Sequence, residues 1–167
     1  MSLDPSPHAC LSVQHAYPAR RQAGCPLCEA HGGGLIWKDD RLRVISIDDA
    51  DYPGFTRVVW HDHAGEMTDL SLADRDHLMR IVYCVEAMQR AHLAVDKINL
   101  AAFGNMVPHL HWHVIPRWTS DRHFPDAYWS PARVPADRID TASMTLRRER
   151  VPAFHAALVD ALTRQSA

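Results

Sequence analysis

GNMVPHLHWHVIPRW, residues 104–118, places His109, His111 and His113 at every second position and fills Leu110, Trp112, Val114 and Ile115 with apolar residues. On a β-strand successive side chains point to opposite faces. The three imidazoles therefore share one face at intervals of about 6.6 Å, and Leu110, Trp112 and Val114 pack the other. The plain alternative is an exposed strand face that happens to be rich in histidine, and strict alternation over three positions weighs against it.

Working outward, KINLAAF at 97–103 reads as a strand that turns at Gly104-Asn105 into HLHWHVI. Upstream, GGGLIWKD at 32–39 and RLRVISI at 41–47 read as two strands joined at Asp39-Asp40. The turn DDADYPGF, 48–55, leads into a third, TRVVW, 56–60. Between TRVVW and KINLAAF lies a helix. Ser71 and Asp74 form a start resembling a capping box, and Leu78, Ile81, Val82, Val85 and Met88 recur with helical spacing. Residues 116–138 carry Trp118, Phe124, Tyr128 and Trp129 and read as a long ordered loop that covers a substrate, packs across a dimer or is anchored into its own core. Pro152 suits the first turn of a closing helix, with Phe154, Leu158 and Leu162 on one side. Short connections between neighbouring strands argue for antiparallel pairing, so the fold class is α+β.

The bulk numbers set bounds. A chain of 167 residues fits one domain with a real core, and 47% hydrophobic with 23% charged residues is ordinary for a soluble globular protein. A net charge of −2 gives no general grip on nucleic acid polymers. No segment approaches the ~18 apolar residues of a membrane span, and MSLDPSPHACLSV lacks the pattern of a secretory signal, so a cytoplasmic address is expected. Residues 1–24 read as a loose or docked arm. Among four cysteines, Cys25 and Cys28 form a CPLC pair, which in a reducing compartment suggests metal or redox chemistry. Cys84 falls on the apolar side of the helix and reads as a packing residue, while Cys10 carries no signal. His8, His15, His31, His77, His92, His123 and His155 read as solvated.

Two chemistries use a row of imidazoles. Ring nitrogens two residues apart on a strand can chelate a catalytic metal, or one ring can attack phosphorus while its neighbours supply protons and hydrogen bonds. The Gly104-Asn105 turn offers backbone N–H groups that can cradle a phosphate, which leans towards the second.

His109-Leu-His111-Trp-His113-Val-Ile resembles the His-φ-His-φ-His-φ-φ signature of the histidine triad superfamily of nucleotide hydrolases and transferases, with a bacterial-type member as the nearest description. PGFTRVVWHDHAGEMTDLS and KINLAAFGNMVP resemble the family's flanking stretches, and the likeness spans roughly residues 25–117. It implies an antiparallel five-stranded sheet with one long helix and a C-terminal helix, usually as a homodimer. The domain would cover 25–118, with 119–167 packed on it as a loop and helix. By the same resemblance His111 is the nucleophile towards the α-phosphorus of a nucleotide conjugate, of dinucleoside polyphosphate or phosphoramidate type. His113 assists the leaving group, His109 completes the triad, and Asn99, Gly104 and Asn105 contact the phosphate. Asp48, with Asp49 as a rival, is the candidate for ribose recognition. Two positions depart from the pattern: Ile47 stands where the simplest register puts that acidic residue, and Phe55 stands where relatives often carry histidine. A non-catalytic nucleotide- or protein-binding module is the alternative function.

Some branches of the family, galactose-1-phosphate uridylyltransferases among them, hold a structural zinc between a CxxC pair, a histidine after the third strand and the first triad histidine. The resemblance therefore implies Cys25, Cys28, His63 and His109 as zinc ligands, with His61 as a competitor. Reduced thiols packing the arm, with His109 as an orienting hydrogen bonder, are the alternative.

Overall fold

The computed structural model describes residues 21–165. The arm expected over 1–24 thus falls largely outside the described residues, together with Cys10, His8 and His15.

Five antiparallel strands form one sheet: β1 (Gly34–Lys38), β2 (Leu42–Ser46), β3 (Thr56–Trp60), β4 (Lys97–Ala102) and β5 (His111–Arg117), in the order β1-β2-β3-β5-β4. Three helices join them: α1 (Pro26–Glu29), α2 (Leu72–His92) and α3 (Thr141–Gln165). The α+β class and the antiparallel five-stranded sheet expected from the sequence are both present. Among the described residues no helix is long and apolar enough to cross a membrane.

The pleat sorts side chains between two faces. Val58 opposite Trp112 and Thr56 opposite Val114 point towards α2; Arg57 opposite His113 and Val59 opposite His111 point the other way. On the helix side Leu42, Val44, Val58 and Val114 meet Leu78, Ile81, Val82 and Val85 of α2 in the main core. Ser71 starts α2 as expected, its Oγ accepting from the Asp74 N–H. Gln89, buried near the end of α2, donates from Nε2 to the carbonyls of Gly54 and Val114 and so ties the helix to the turn before β3 and to β5. Cys84 is buried in this core as expected. The chain makes its reversal between β1 and β2 with Asp39, whose Oδ1 accepts from the N–H groups of Arg41 and Leu42.

Four expectations need correction. The closing helix starts at Thr141, and Pro152 lies inside it rather than in its first turn. Asp140 supplies the start instead: its Oδ1 accepts from the N–H groups of Ala142 and Ser143, and its Oδ2 accepts from the Ser143 hydroxyl. Pro152 lacks an N–H, so the helix forgoes one backbone bond there, while Phe154, Leu158 and Leu162 are fully buried beyond it. His77 and His123 are buried, not solvated. His77 Nε2 lies 2.7 Å from Asp39 Oδ2, and the Tyr52 hydroxyl lies 2.6 Å from His123 Nδ1. Finally, β5 begins at His111, so His109 precedes the strand: its N–H bonds back to the Val107 carbonyl in a three-residue turn.

The aromatic loop is anchored at its base by a buried ion pair. Arg117 donates from Nε to Asp121 Oδ2 at 2.6 Å and from Nη2 to Asp121 Oδ1 at 3.1 Å. Asp121 also accepts from the N–H groups of Trp118, His123 and Phe124, and from the Tyr52 hydroxyl. This network holds the segment that carries Tyr128 and Trp129 over the sheet face opposite α2.

Candidate functional site

The face opposite α2 is covered at one end by α1 and at the other by the aromatic loop. Arg43, buried in β2, fixes α1: its guanidinium donates to the carbonyls of Leu27 and Ala30 at the helix's end and to that of His31. Pro26 occupies the first turn of α1, where its missing N–H costs nothing. The result is that Cys25 and Cys28 face the sheet, packed with Leu27, Ile45 and Val59.

Cys25, Cys28, His63 and His109 converge there, with one ligand atom from each lying within 4.8 Å of the others. The Cys25 Sγ–His109 Nδ1, Cys28 Sγ–His63 Nδ1 and Cys28 Sγ–His109 Nδ1 separations are 3.5, 3.5 and 3.4 Å. His109 Nε2 faces the Trp60 carbonyl at 2.8 Å, so that nitrogen is the donor and Nδ1 points its lone pair at the thiols. Two backbone bonds bring the halves together: Leu110 N–H to Ala64 carbonyl, and Trp60 N–H to Leu110 carbonyl. His61 takes no part in the cluster. Its Nε2 lies 3.0 Å from the Asp39 carbonyl and its Nδ1 lies 3.5 Å from Arg43. Burial raises the Cys28 thiol above its ordinary value, against the opposing pull of the Gln22 N–H and the charge of Arg21.

Next to this cluster opens a cavity of about 650 Å³ lined by Arg57, Gly104, Asn105, His111 and His113, with Leu27 at the α1 end and Phe103, Tyr128 and Trp129 at the other. Gly104 adopts a φ of 148°, a conformation that suits a residue without Cβ, and directs the turn along the cavity wall. The histidine row therefore divides. His109 turns to the cysteines, while His111 and His113 line the cavity with ring centroids 4.9 Å apart.

His111 Nδ1 lies 2.6 Å from the His109 carbonyl and donates to it, which leaves Nε2 as the unprotonated nitrogen. Burial holds His111 below the ordinary imidazole value, helped by the charge of Arg57 and opposed by this hydrogen bond. His113 is 4% exposed, and neither of its ring nitrogens has a partner among the described residues. Burial pushes it down to about 3, with the charges of Arg57 and His111 acting the same way. Phe55 and Phe103 hold this ring, with centroids at 5.6 and 5.1 Å. The phenylalanine that replaces the expected histidine at 55 thus packs the third triad ring.

Other candidates lie apart. Asn99 shares the sheet face with His113 but does not line the cavity; its Oδ1 accepts from Arg117 at 2.7 Å. Asp48 is exposed and borders a different hollow with Pro152 and His155, and Asp49 is engaged in its own turn, accepting from the N–H groups of Asp51 and Tyr52. Tyr128 and Trp129 of the aromatic loop line the cavity, one of the roles the sequence left open for them, whereas Arg57 was missed in the sequence. A lone arginine inside TRVVW, flanked by residues that pack the core, was the available signal.

No curated protein matches the chain. Among solved structures, the fold is similar to a histidine triad protein from Bradyrhizobium japonicum (27% identity, 72% of this chain and 92% of that one, TM-score 0.56). It is also similar to a histidine triad protein from Sinorhizobium meliloti (24%, 72% and 90%, 0.56) and to a zinc-bound histidine triad family protein from Mycobacterium smegmatis (21%, 84% and 94%, 0.52). The HIT domain profile matches residues 33–120, more than half of the chain and the whole span from β1 to the loop after β5. This chain belongs to the HIT domain family.

Proposed function

We propose that the protein is a nucleotide-binding hydrolase or transferase that cleaves at the α-phosphate of a nucleoside monophosphate conjugate through a covalent nucleotidyl-histidine. The observation that carries this reading is the pairing of His111, tied at Nδ1 to a carbonyl, with His113, whose two buried nitrogens are without partners, on the wall of one cavity. A buried imidazole with neither nitrogen satisfied is costly unless a ligand completes it. Gly104 and Asn105 add backbone donors on the same wall.

In the first step His111 Nε2 bonds to the α-phosphorus as the bond to the leaving group breaks, and the leaving group keeps the electron pair. The phosphate's negative charge favours a protonated neighbour, so substrate binding raises the affinity of His113 for a proton, which it passes to the leaving group. Water or another acceptor then attacks phosphorus and gives its proton to the now neutral His113, while the P–N bond breaks and its electron pair returns His111 to its neutral form. A catalytic metal held by all three triad histidines fits less well, since the His109 ring points away from the cavity.

The residues of the second cluster fit a structural zinc. Tetrahedral zinc with bonds of about 2.3 Å to sulfur and about 2.0–2.1 Å to nitrogen sets S···N edges near ~3.5 Å. The observed separations of 3.4–3.5 Å match those edges. Cys25, Cys28, His63 and His109 would hold the ion, leaving no open position, so its chemistry is to cross-link α1 to the sheet. The zinc-bound relative is consistent with this. A homodimer suits the open edge of β4, the last strand in the sheet order. Free cysteines at 25, 28 and 84 fit a cytoplasmic setting.

Turnover of a panel of nucleotide conjugates by the wild-type and His111→Ala proteins tests the proposal. Cleavage lost with His111 supports it. Binding without cleavage in the wild type selects the alternative, a non-catalytic module.

A further inference from the structure

Arg57 is a cation without a counter-ion. It sits in the middle of β3, on the face opposite α2, with its Nε buried and lacking a hydrogen-bond partner. None of the ion pairs among the described residues involves it. Its neighbours are the Phe55 ring, 5.7 Å from the guanidinium carbon, and the phenol of Tyr128, neither of which carries a compensating charge. An arginine stays protonated in such a place, and a half-buried unpaired charge is expensive to keep. A fold that retains one beside a cavity has an anion to receive.

The strand register says where that anion lies. Arg57 is paired with His113, whereas Val59 is paired with His111. The cation is therefore level with the third triad histidine, not with the second. The Gly104-Asn105 turn leaves β4 on the other side of β5, so the turn and Arg57 flank the histidines from strands about 9.6 Å apart. Both line the same cavity. A phosphate cradled by the turn over His111 leaves Arg57 facing whatever is attached beyond the scissile bond, past His113.

We propose that Arg57 binds a negatively charged group on the leaving side of the scissile bond. The substrates are then nucleotide conjugates whose leaving group is itself an oxyanion, such as a phosphate, polyphosphate or sulfate, in preference to phosphoramidates, whose amine leaving group brings no anion to this cation. The orientation rests on the reading of His111 as the nucleophile. The guanidinium's planar fork suits a phosphate or sulfate, which accepts two parallel hydrogen bonds.

Calorimetric titration of the wild-type, Arg57→Gln and Arg57→Lys proteins with AMP and ADP, and with GMP and GDP, tests this. One charge-assisted contact implies that the wild type binds the diphosphate about tenfold or more tightly than the monophosphate. Arg57→Gln should weaken the diphosphate by about tenfold more than the monophosphate, and Arg57→Lys should restore part of the difference. Equal losses on both ligands would place Arg57 at the α-phosphate or in the packing alone and overturn the proposal, as would a wild type indifferent to the second phosphate. A diphosphate preference that depends on Arg57, in a protein that forms no adduct at His111, would sink the catalytic reading and leave the anion contact standing. Failure to bind any of the four ligands would sink both.

Discussion

His111 donates from Nδ1 to the main-chain carbonyl of His109 at 2.6 Å, while the ring of that same His109 sits with its Nδ1 3.4 Å from Cys28 Sγ. One residue thus orients the proposed nucleophile with its backbone and joins the cysteine cluster with its side chain. The neighbouring bond from His109 Nε2 to the Trp60 carbonyl fixes the ring that links them.

If the cysteine cluster holds the proposed zinc, its removal should act first on stability and second on chemistry. Chelation, or Cys25→Ser, should cost about 3–5 kcal/mol, or roughly 6–20 °C in melting temperature for a chain of this size. Activity of the remaining folded protein should fall by about tenfold as His109 loosens. Elemental analysis showing no zinc in the purified protein, with a melting temperature indifferent to chelator, would refute the zinc site.

The acid side of the stability profile should carry the signature of His113. Its folded value, about 3, lies below the ordinary 6.5, so the unfolded chain binds the proton first. Its contribution is whole above pH 6.5 and is lost progressively as the pH falls towards 3. Melting temperatures measured across that window should decline less steeply for His113→Gln than for the wild type. Parallel profiles would show that the ring is not held neutral by its surroundings.

Asp121 is the keystone of the aromatic loop. Burial works to raise its carboxyl, but the hydrogen bond and charge of Arg117, with the N–H groups of His123 and Trp118, prevail and hold it below its ordinary value. Asp121→Ala would leave Arg117 buried without its partner and should cost about 3–5 kcal/mol. Urea denaturation reads this directly, and a change under about 1 kcal/mol would mean the network contributes little.

Asp140 caps α3 through Ala142 and Ser143, which gives a smaller expectation. Asp140→Ala should destabilise by about 0.5–2 kcal/mol in the same assay, with activity retained. No change would indicate that packing of Phe154, Leu158 and Leu162 alone sets the helix start.

Much of this architecture was legible because two periods dominate it. Alternation through Trp112 and Val114 marked a strand with one buried face, and the spacing of Leu78, Ile81, Val82 and Val85 marked α2. Errors arose where a local signal was outweighed. Pro152 looked like a helix start, yet the polar cap at Asp140 and the burial of Met144 extend the helix upstream past it. His77 and His123 looked solvated because their partners, Asp39 and Tyr52, lie 38 and 71 residues away. Arg57 was hidden for a similar reason, since its unpaired state exists only once the strands and the loop have assembled around it.

The proposed chemistry requires His111 to bond transiently to phosphorus. Rapid acid-free quenching of the protein with a nucleotide conjugate, followed by digestion and mass spectrometry, should find one nucleoside monophosphate added at His111 and none in His111→Ala. Turnover of the conjugate with no adduct, or with the adduct on a different residue, would contradict it.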